Sequence, residues 1–280
     1  IALAQVQYPT SKKSDIVEDY HGTKVADPYR WLEDDNSEET KAWVAAQNKV
    51  TDDYLATIPF RNNIKKRLEE LWNYPKYSSP FKEGEYYYFF KNGGLQNQSV
   101  AYRQMGLDGS PEVFLDPNKL SDDGTAALAG ISFSKTSKYL VYSVSQSGSD
   151  WQTGYIMDVK TKEKTGEQLN WLKFTGFSWK GDDGFYYSRY PEPKEGDELK
   201  GKNESSKVYY HQLGTTQTED VLIYEDKEHP LRFVGVGLTE DERFLILSTS
   251  EGTSGSEIWY KDLKDPSQKE FSLLIPGFTT

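Results

Sequence analysis

Cysteine is absent from the 280-residue sequence, and histidine occurs only three times. Without cysteine, disulfide bonds and thiolate metal sites are excluded, although the redox state of the compartment stays undetermined. His21, His211 and His229 do not lie at the spacing of metal ligands, and a structural or exposed role is predicted for each. We expect no cofactor and no metal.

The sequence also lacks an excess of positive charge and long apolar runs. Its formal net charge is -11, whereas affinity for nucleic acid comes largely from clustered lysine and arginine. No apolar run reaches the ~18 residues of a candidate membrane-spanning helix. We therefore expect neither a nucleic-acid partner nor a membrane span.

Familiar catalytic motifs are missing as well. The nearest approach to the G-x-S-x-G motif of serine hydrolases is Gly252–Ser256, in which serine stands where the final glycine belongs and which is predicted to lie in a hairpin loop. The acidic pairs Asp34–Asp35, Asp122–Asp123 and Asp182–Asp183 occur in turn contexts, where aspartate is predicted to cap the backbone. Gly93–Gly94 lacks the lysine and the following helix of a phosphate loop. The residues by themselves assign no catalytic group.

The first residues bear on localisation. Ala2 and Ala4 match the A-x-A pattern that precedes a signal-peptide cleavage site, with Gln5 as the mature terminus. Residues 1–4 are therefore interpreted as a signal-peptide remnant, and Ala2-Leu3-Ala4 predicts a periplasmic or secreted protein. An irregular start unrelated to a leader leaves a cytoplasmic location as the alternative.

Residues 5–77 form the first predicted region. No regular element is predicted over residues 5–37, yet this arm is too apolar for a solvated tail and is expected to lie on something. Its apolar side chains are Tyr20, Tyr29, Trp31 and Leu32.

Two helices are predicted after the arm. Asn36 or Ser37 caps the first, with Glu38 and Glu39 in its first turn, and Ile58-Pro59 breaks it. Each helix shows an apolar stripe at helical spacing. The stripes are Ala42, Trp43, Ala46, Val50 and Tyr54 in the first helix, and Ile64, Leu68, Leu71 and Trp72 in the second.

Residues 78–280 are predicted to be a β-propeller of about four blades. Four strong β runs begin at spacings of roughly 46 to 59 residues, a period typical of propellers. The runs are Tyr86–Phe90, Tyr139–Val144, Phe185–Tyr187 and Phe244–Leu247, each with a turn signal before it and a companion strand after it. Four blades can close a ring by themselves, or the chain can stop before the ring is complete. Ile275–Thr280, interpreted as an inter-blade linker by analogy with Val113–Pro117, favours the second alternative.

Several motifs taken together resemble the N-terminal part of the prolyl oligopeptidase (prolyl endopeptidase) family. They are Asp19–Gly22, Asp27–Asp34, Gly94–Gln98, Phe114–Asn118, Ser147–Trp151 and Val208–Thr215. The resemblance implies a mainly β fold, in which a partial seven-bladed propeller adjoins the N-terminal segment of an α/β-hydrolase domain built from both chain ends. It also implies a serine endopeptidase that cleaves short peptides on the carboxyl side of proline, with the propeller restricting access to the active site. The catalytic serine, aspartate and histidine would lie beyond residue 280, so this chain alone should be inactive.

The resemblance also implies three site residues. Phe174 matches an apolar residue that lines the site for the substrate residue two before the proline, and Phe233 matches another apolar pocket residue. Asp150 matches a carboxylate that faces the hydrolase domain near a substrate-binding arginine. Phe174 can alternatively be an inter-blade core residue, and Asp150 can alternatively cap the turn formed by Ser147–Ser149.

The sequence departs from the family pattern at Ser250, Thr253 and Ala129, which stand where well-known members carry other side chains. The outer substrate subsites are therefore not assigned. A non-enzymatic β-propeller that binds a peptide or a partner protein remains the alternative function. A glycosidase or lyase propeller would require paired inward carboxylates, which none of the four units shows.

Overall fold

The computed structural model describes residues 6–199, 201–253 and 255–277. The predicted signal-peptide remnant, residues 1–4, lies outside them, as do residues 278–280 at the end of the predicted linker. The chain divides into two compact units. The first contains the described residues up to Asn73 and those of Pro193–Gly201, and the second contains the described residues of Tyr74–Glu192 and Lys202–Thr280.

The first unit begins with an antiparallel hairpin of β1 (Val17–Tyr20) and β2 (Thr23–Ala26). His21 and Gly22 form its two-residue turn, both with positive φ, as a tight hairpin turn requires. The prediction that residues 5–37 contain no regular element is therefore wrong for this stretch. Both strands are mostly exposed, so the apolar alternation that reveals a half-buried strand is absent.

Helix α1 (Glu38–Ala56) begins as predicted, since the Ser37 Oγ accepts a hydrogen bond from the Thr40 N–H at 3.2 Å. It ends before Ile58-Pro59, also as predicted. The arm lies on this helix. The rings of Trp31 and Trp43 meet edge to face with centroids 6.5 Å apart.

Helix α2 (Arg61–Trp72) carries the second predicted stripe on a surface that is not buried. The exposed fractions of its apolar side chains are 51% for Ile64, 59% for Leu68, 52% for Leu71 and 64% for Trp72. No described helix is long and apolar enough to cross a membrane.

The second unit consists of four antiparallel sheets, which are the predicted propeller blades. Blade 1 contains β3 (Lys76–Tyr77), β4 (Phe81–Glu83), β5 (Tyr86–Asn92), β6 (Val100–Met105) and β7 (Glu112–Leu115). Blade 2 contains β8 (Ala127–Phe133), β9 (Tyr139–Ser145), β10 (Gln152–Asp158) and β11 (Lys164–Leu172). Blade 3 contains β12 (Phe177–Lys180), β13 (Gly184–Arg189), β14 (Lys207–Gln212) and β15 (Val221–Glu225). Blade 4 contains β16 (Phe233–Leu238), β17 (Phe244–Ser250), β18 (Ser256–Asp262) and β19 (Ser272–Ile275). Blades 2, 3 and 4 are four-stranded meanders in chain order, whereas in blade 1 both β3 and β4 pair with β5.

The predicted linker Ile275–Thr280 begins one residue inside a strand. Ile275 is the last residue of Ser272–Ile275, the outer strand of blade 4, which pairs with β18. Pro276 and Gly277 follow it without regular structure. The analogy with Val113–Pro117 was sound, because Glu112–Leu115 is likewise the outer strand of its blade. Both strands contain exposed apolar residues, which is why they resembled connecting segments.

Neighbouring blades pack through clusters of large buried side chains. The cluster between blades 2 and 3 includes Leu169, Leu172, Phe185 and Tyr187, all with 0% exposure. Hydrogen bonds between inner hairpins add to this packing, since the Asp182 Oδ1 accepts from the Thr136 N–H of the preceding blade at 3.0 Å.

Successive strands reverse direction, so the connections alternate between the two ends of each blade. One end carries the links between blades together with the β9–β10 and β17–β18 connections. We call it the link face, formed by residues 116–126, 146–151, 173–176, 226–232 and 251–253. The topology therefore places Asp150, Phe174 and the start of β16 on the same face.

Candidate functional site

Phe174 and Phe233 form an aromatic pair on the link face. Their ring centroids are 5.7 Å apart in an edge-to-face arrangement, which suits the charge distribution of aromatic rings. Phe174 is 55% exposed and Phe233 is 38% exposed. Phe174 is therefore not an inter-blade core residue, and the pair presents an apolar surface that a ligand side chain can cover.

The link that carries Phe174 has an unusual backbone. Phe174 has a φ of 54° and Trp171 a φ of 60°, a left-handed conformation that is costly for residues with bulky side chains. Hydrogen bonds to blade 3 hold the link. The Trp171 carbonyl accepts from the Tyr190 N–H at 3.1 Å, and the Thr175 Oγ1 accepts from the Ser188 N–H at 2.9 Å. The fold thus fixes Phe174 in a position that the chain alone would not favour.

Asp150 lies exposed in the β9–β10 connection. The turn before it is stabilised by other groups, because the Ser149 Oγ accepts from the Trp151 N–H at 3.1 Å and the Ser149 N–H donates to the Gln146 carbonyl at 2.9 Å. The carboxylate of Asp150 forms no hydrogen bond or ion pair with any described residue, so it does not cap the turn. It is left available to an external cation.

Trp151, next to Asp150, is the centre of a cluster that the sequence did not indicate. Its ring meets those of Trp171 and Tyr190 edge to face, with centroid distances of 5.7 Å and 6.2 Å. The Lys173 Nζ lies 4.3 Å from the centroid of the Trp151 ring. Burial raises the pKa of Tyr190, whose phenol therefore stays neutral. The only available signal was the crowding of aromatic residues around Trp171-Leu172-Lys173-Phe174.

The three positions that depart from the family pattern also lie on or near the link face. Ser250 ends β17 and pairs directly with Phe233 across the β16–β17 ladder. Thr253 is exposed in the connection that follows, and Ala129 is exposed at an irregularity in the register of β8. Substitutions at Ser250 would therefore change the surroundings of the aromatic pair directly.

The remaining candidate groups show no catalytic arrangement. His211 is fully buried, with its Nδ1 2.7 Å from the Asp220 Oδ1, and the His229 Nδ1 lies 3.1 Å from the Asp226 Oδ2. Gly252–Ser256 spans the β17–β18 connection, as predicted, although Ser254 lies outside the described residues. Within the described ranges, no group of three or more His, Cys, Asp or Glu residues is placed to hold a metal ion.

The stacked antiparallel sheets define the chain as a β-propeller protein that carries an exposed aromatic pair on its link face. The model of the prolyl oligopeptidase N-terminal β-propeller domain matches residues 8–279. The chain therefore belongs to the prolyl oligopeptidase family, a family of serine peptidases.

Individual relatives agree with this assignment. The prolyl endopeptidase of Elizabethkingia meningoseptica is 50% identical over 273 residues, which are 98% of this chain and 38% of that protein. Prolyl oligopeptidase A of Amanita bisporigera is 36% identical over 289 residues, covering 91% of this chain and 38% of that protein. The chain thus spans 38% of the length of these two curated relatives.

A solved structure supports the fold independently. Prolyl oligopeptidase B from Galerina marginata, bound to a 35mer hydrolysis and macrocyclization substrate, is similar with a TM-score of 0.81 and 31% identity. The similarity covers 97% of this chain and 42% of that one. The predicted mainly β fold, with propeller blades after an N-terminal helical region, is confirmed.

Proposed function

We propose that this chain is the N-terminal arm and the first four propeller blades of a serine endopeptidase that cleaves short peptides on the carboxyl side of proline. The observation that carries the proposal is the match of nearly the whole chain to prolyl endopeptidases, at 50% identity to the Elizabethkingia meningoseptica protein. In this proposal the propeller restricts access to the active site, so that only short peptides reach it.

The link face contributes the substrate contacts. Phe174 and Phe233 line the site for the residue two before the proline, where two exposed rings can pack on an apolar side chain without requiring a hydrogen bond. Asp150 orients the arginine that holds a backbone carbonyl of the substrate. Its support is an exposed carboxylate that forms no hydrogen bond or ion pair with a described residue, and that can accept a charge-assisted, bidentate hydrogen bond from a guanidinium.

The catalytic serine, aspartate and histidine belong to a C-terminal α/β-hydrolase domain, which is the main partner of this chain. The arm and the two helices pack against the core of that domain. The apolar stripe of α2, more than half exposed at each of its four residues, supports this role, because exposed apolar patches of this kind mark interaction surfaces. The 280-residue chain by itself is inactive.

Assays of the full-length protein and of the isolated chain test the proposal. Both are given a fluorogenic Gly-Pro substrate after purification to remove contaminating peptidases. The full-length protein should release the fluorophore in a reaction that a serine-directed inhibitor stops, and the isolated chain should not. A full-length protein that binds proline peptides without cleaving them would contradict the proposal and favour the alternative, a non-enzymatic β-propeller that binds a peptide or a partner protein.

We also propose a periplasmic or secreted location, with a cytoplasmic one as the alternative. The support is the Ala2-Leu3-Ala4 pattern. N-terminal sequencing of the protein recovered from cell fractions tests it. A mature terminus at Gln5 outside the cytoplasm is expected, and an unprocessed protein confined to the cytoplasm would contradict it.

A further inference from the structure

Lys173 is an unusual lysine because its side chain is buried. It is only 8% exposed, although burying an ammonium group costs free energy unless the charge is compensated. No described carboxylate lies within ion-pair distance of it. Its Nζ donates a hydrogen bond to the Asn203 Oδ1 at 2.9 Å and lies 4.3 Å from the centroid of the Trp151 ring. The compensation comes from an amide oxygen and an aromatic face.

These contacts join the segments that carry the candidate site residues. Lys173 directly precedes Phe174 in the link, and Trp151 directly follows Asp150 in the β9–β10 connection. Asn203 lies in the chain that leads into β14 of blade 3. The ammonium group of Lys173 therefore links the segment that carries the exposed Phe174 ring to the segment that carries the exposed Asp150 carboxylate.

The backbone explains why such a connection is needed. Phe174 has a φ of 54°, so its left-handed conformation persists only when its surroundings enforce it. Trp171, also left-handed, is held by its contact with Trp151. Lys173 lies between these two strained residues, and its side chain is bound at the same tryptophan. Releasing it would let the link relax and would move Phe174 relative to Asp150.

We propose that Lys173 is a positioning residue that sets the place of Phe174 relative to Asp150 and thereby determines how tightly the enzyme binds the substrate residue two before the proline. This inference rests on the proposed function. It assigns no chemical step to Lys173, which acts through the position of Phe174.

The chain offers a matched control. The Lys164 Nζ lies 4.1 Å from the centroid of the Tyr155 ring, a similar contact at the opposite end of β11. Lys164 is exposed and lies away from the link face. Lys164→Met therefore removes a stacked ammonium from the same blade without touching the site.

The experiment compares Lys173→Met and Lys164→Met in the full-length protein on two fluorogenic substrates. Phe-Gly-Pro carries a residue two before the proline, and Gly-Pro does not. Lys173→Met should lower kcat/KM for Phe-Gly-Pro about tenfold, mainly through KM, since a hydrogen bond from a charged group and a cation–π contact are lost. Cleavage of Gly-Pro should change by less than about twofold, and Lys164→Met should affect neither substrate.

A second pair of variants covers the case in which Lys173→Met does not fold. Asn203→Ala removes the acceptor of the ammonium group and should reproduce the selective loss, whereas Asn203→Asp keeps an acceptor oxygen and should retain wild-type selectivity. Equal losses on both substrates, or no loss, in Lys173→Met or Asn203→Ala would overturn the inference. If the wild-type protein cleaves neither substrate, the proposed function itself has failed.

Discussion

The interface between blades 2 and 3 buries its apolar side chains, whereas helix α2 exposes them. At the interface, Leu169 and Phe185 have 0% exposure, and their burial is complete within the described residues. On α2, Leu68 and Trp72 are 59% and 64% exposed. Both regions have a clear apolar pattern, but only the side chains at the interface are buried.

The comparison shows that an apolar pattern in a sequence can mark either a buried core or an exposed surface. In the propeller, each blade packs against the next one, so a neighbouring copy of the repeated unit buries the apolar side chains. Helix α2 does not belong to a repeated unit, and its apolar stripe is exposed.

The largest expected effect comes from removing a buried side chain. Leu169→Ala should lower the free energy of unfolding by about 3 kcal/mol, because the substitution removes apolar contacts and leaves a cavity. Leu68→Ala in α2 should change it by less than about 0.5 kcal/mol in the 280-residue chain. Urea unfolding followed by tryptophan fluorescence measures both. Equal costs would show that α2 is covered within this chain.

An intermediate effect is expected from a buried polar contact within blade 3, beside the same interface. Tyr187 donates a hydrogen bond to the Asp220 Oδ2, and the Asp220 side chain has 0% exposure. Burial raises the pKa of Tyr187 well above its usual value, and the hydrogen bond to Asp220 raises it further. Tyr187→Phe removes a donor from a buried carboxylate and should cost about 2 kcal/mol.

The matched control for that variant is Tyr77→Phe, since Tyr77 is 61% exposed. It should leave the urea midpoint unchanged. A Tyr187→Phe variant as stable as the wild type would show that the hydroxyl contributes nothing to the free energy of unfolding.

The smallest effect concerns pH. The Glu112 Oε1 accepts from the Arg103 Nε at 2.6 Å, and its Oε2 lies 3.0 Å from the Lys162 Nζ of blade 2. The hydrogen bond from Arg103 has the largest effect and the one from Lys162 the next largest, and both lower the pKa of Glu112. Because the pKa is lower in the folded state, the stabilisation is present above the unfolded value of about 4.3 and is lost as the pH falls through the folded value. Glu112→Gln should therefore flatten the acid side of the stability profile, and profiles that run parallel would contradict this.

Strands whose own residues show a clear β pattern are predictable from the sequence. Tyr139–Val144 was predicted and Tyr139–Ser145 is observed, because aromatic and β-branched residues favour a pleated, buried surface. Lys164–Leu172 was missed, since this outer strand is polar, partly exposed and interrupted by Gly166. Outer strands depend on pairing with their neighbours, which a local pattern does not show.

The candidate site likewise contains residues that could be predicted from the sequence and a residue that could not. Phe174, Phe233 and Asp150 came from the resemblance to a family, and the structure adds that the first two are in contact. Lys173 was not indicated. A lysine beside an exposed phenylalanine has no periodic signal, and its burial depends on Trp151 and Asn203, which lie far from it in sequence.

Amide hydrogen exchange of Arg61–Trp72, measured in the isolated 280-residue chain and in the full-length protein, tests most directly whether the first unit is completed by a further domain. Helix α2 should exchange quickly in the isolated chain and be protected in the full-length protein, while Tyr139–Ser145 should be equally protected in both. Equal exchange of α2 in the two proteins would contradict the claim that its apolar stripe packs on a hydrolase domain.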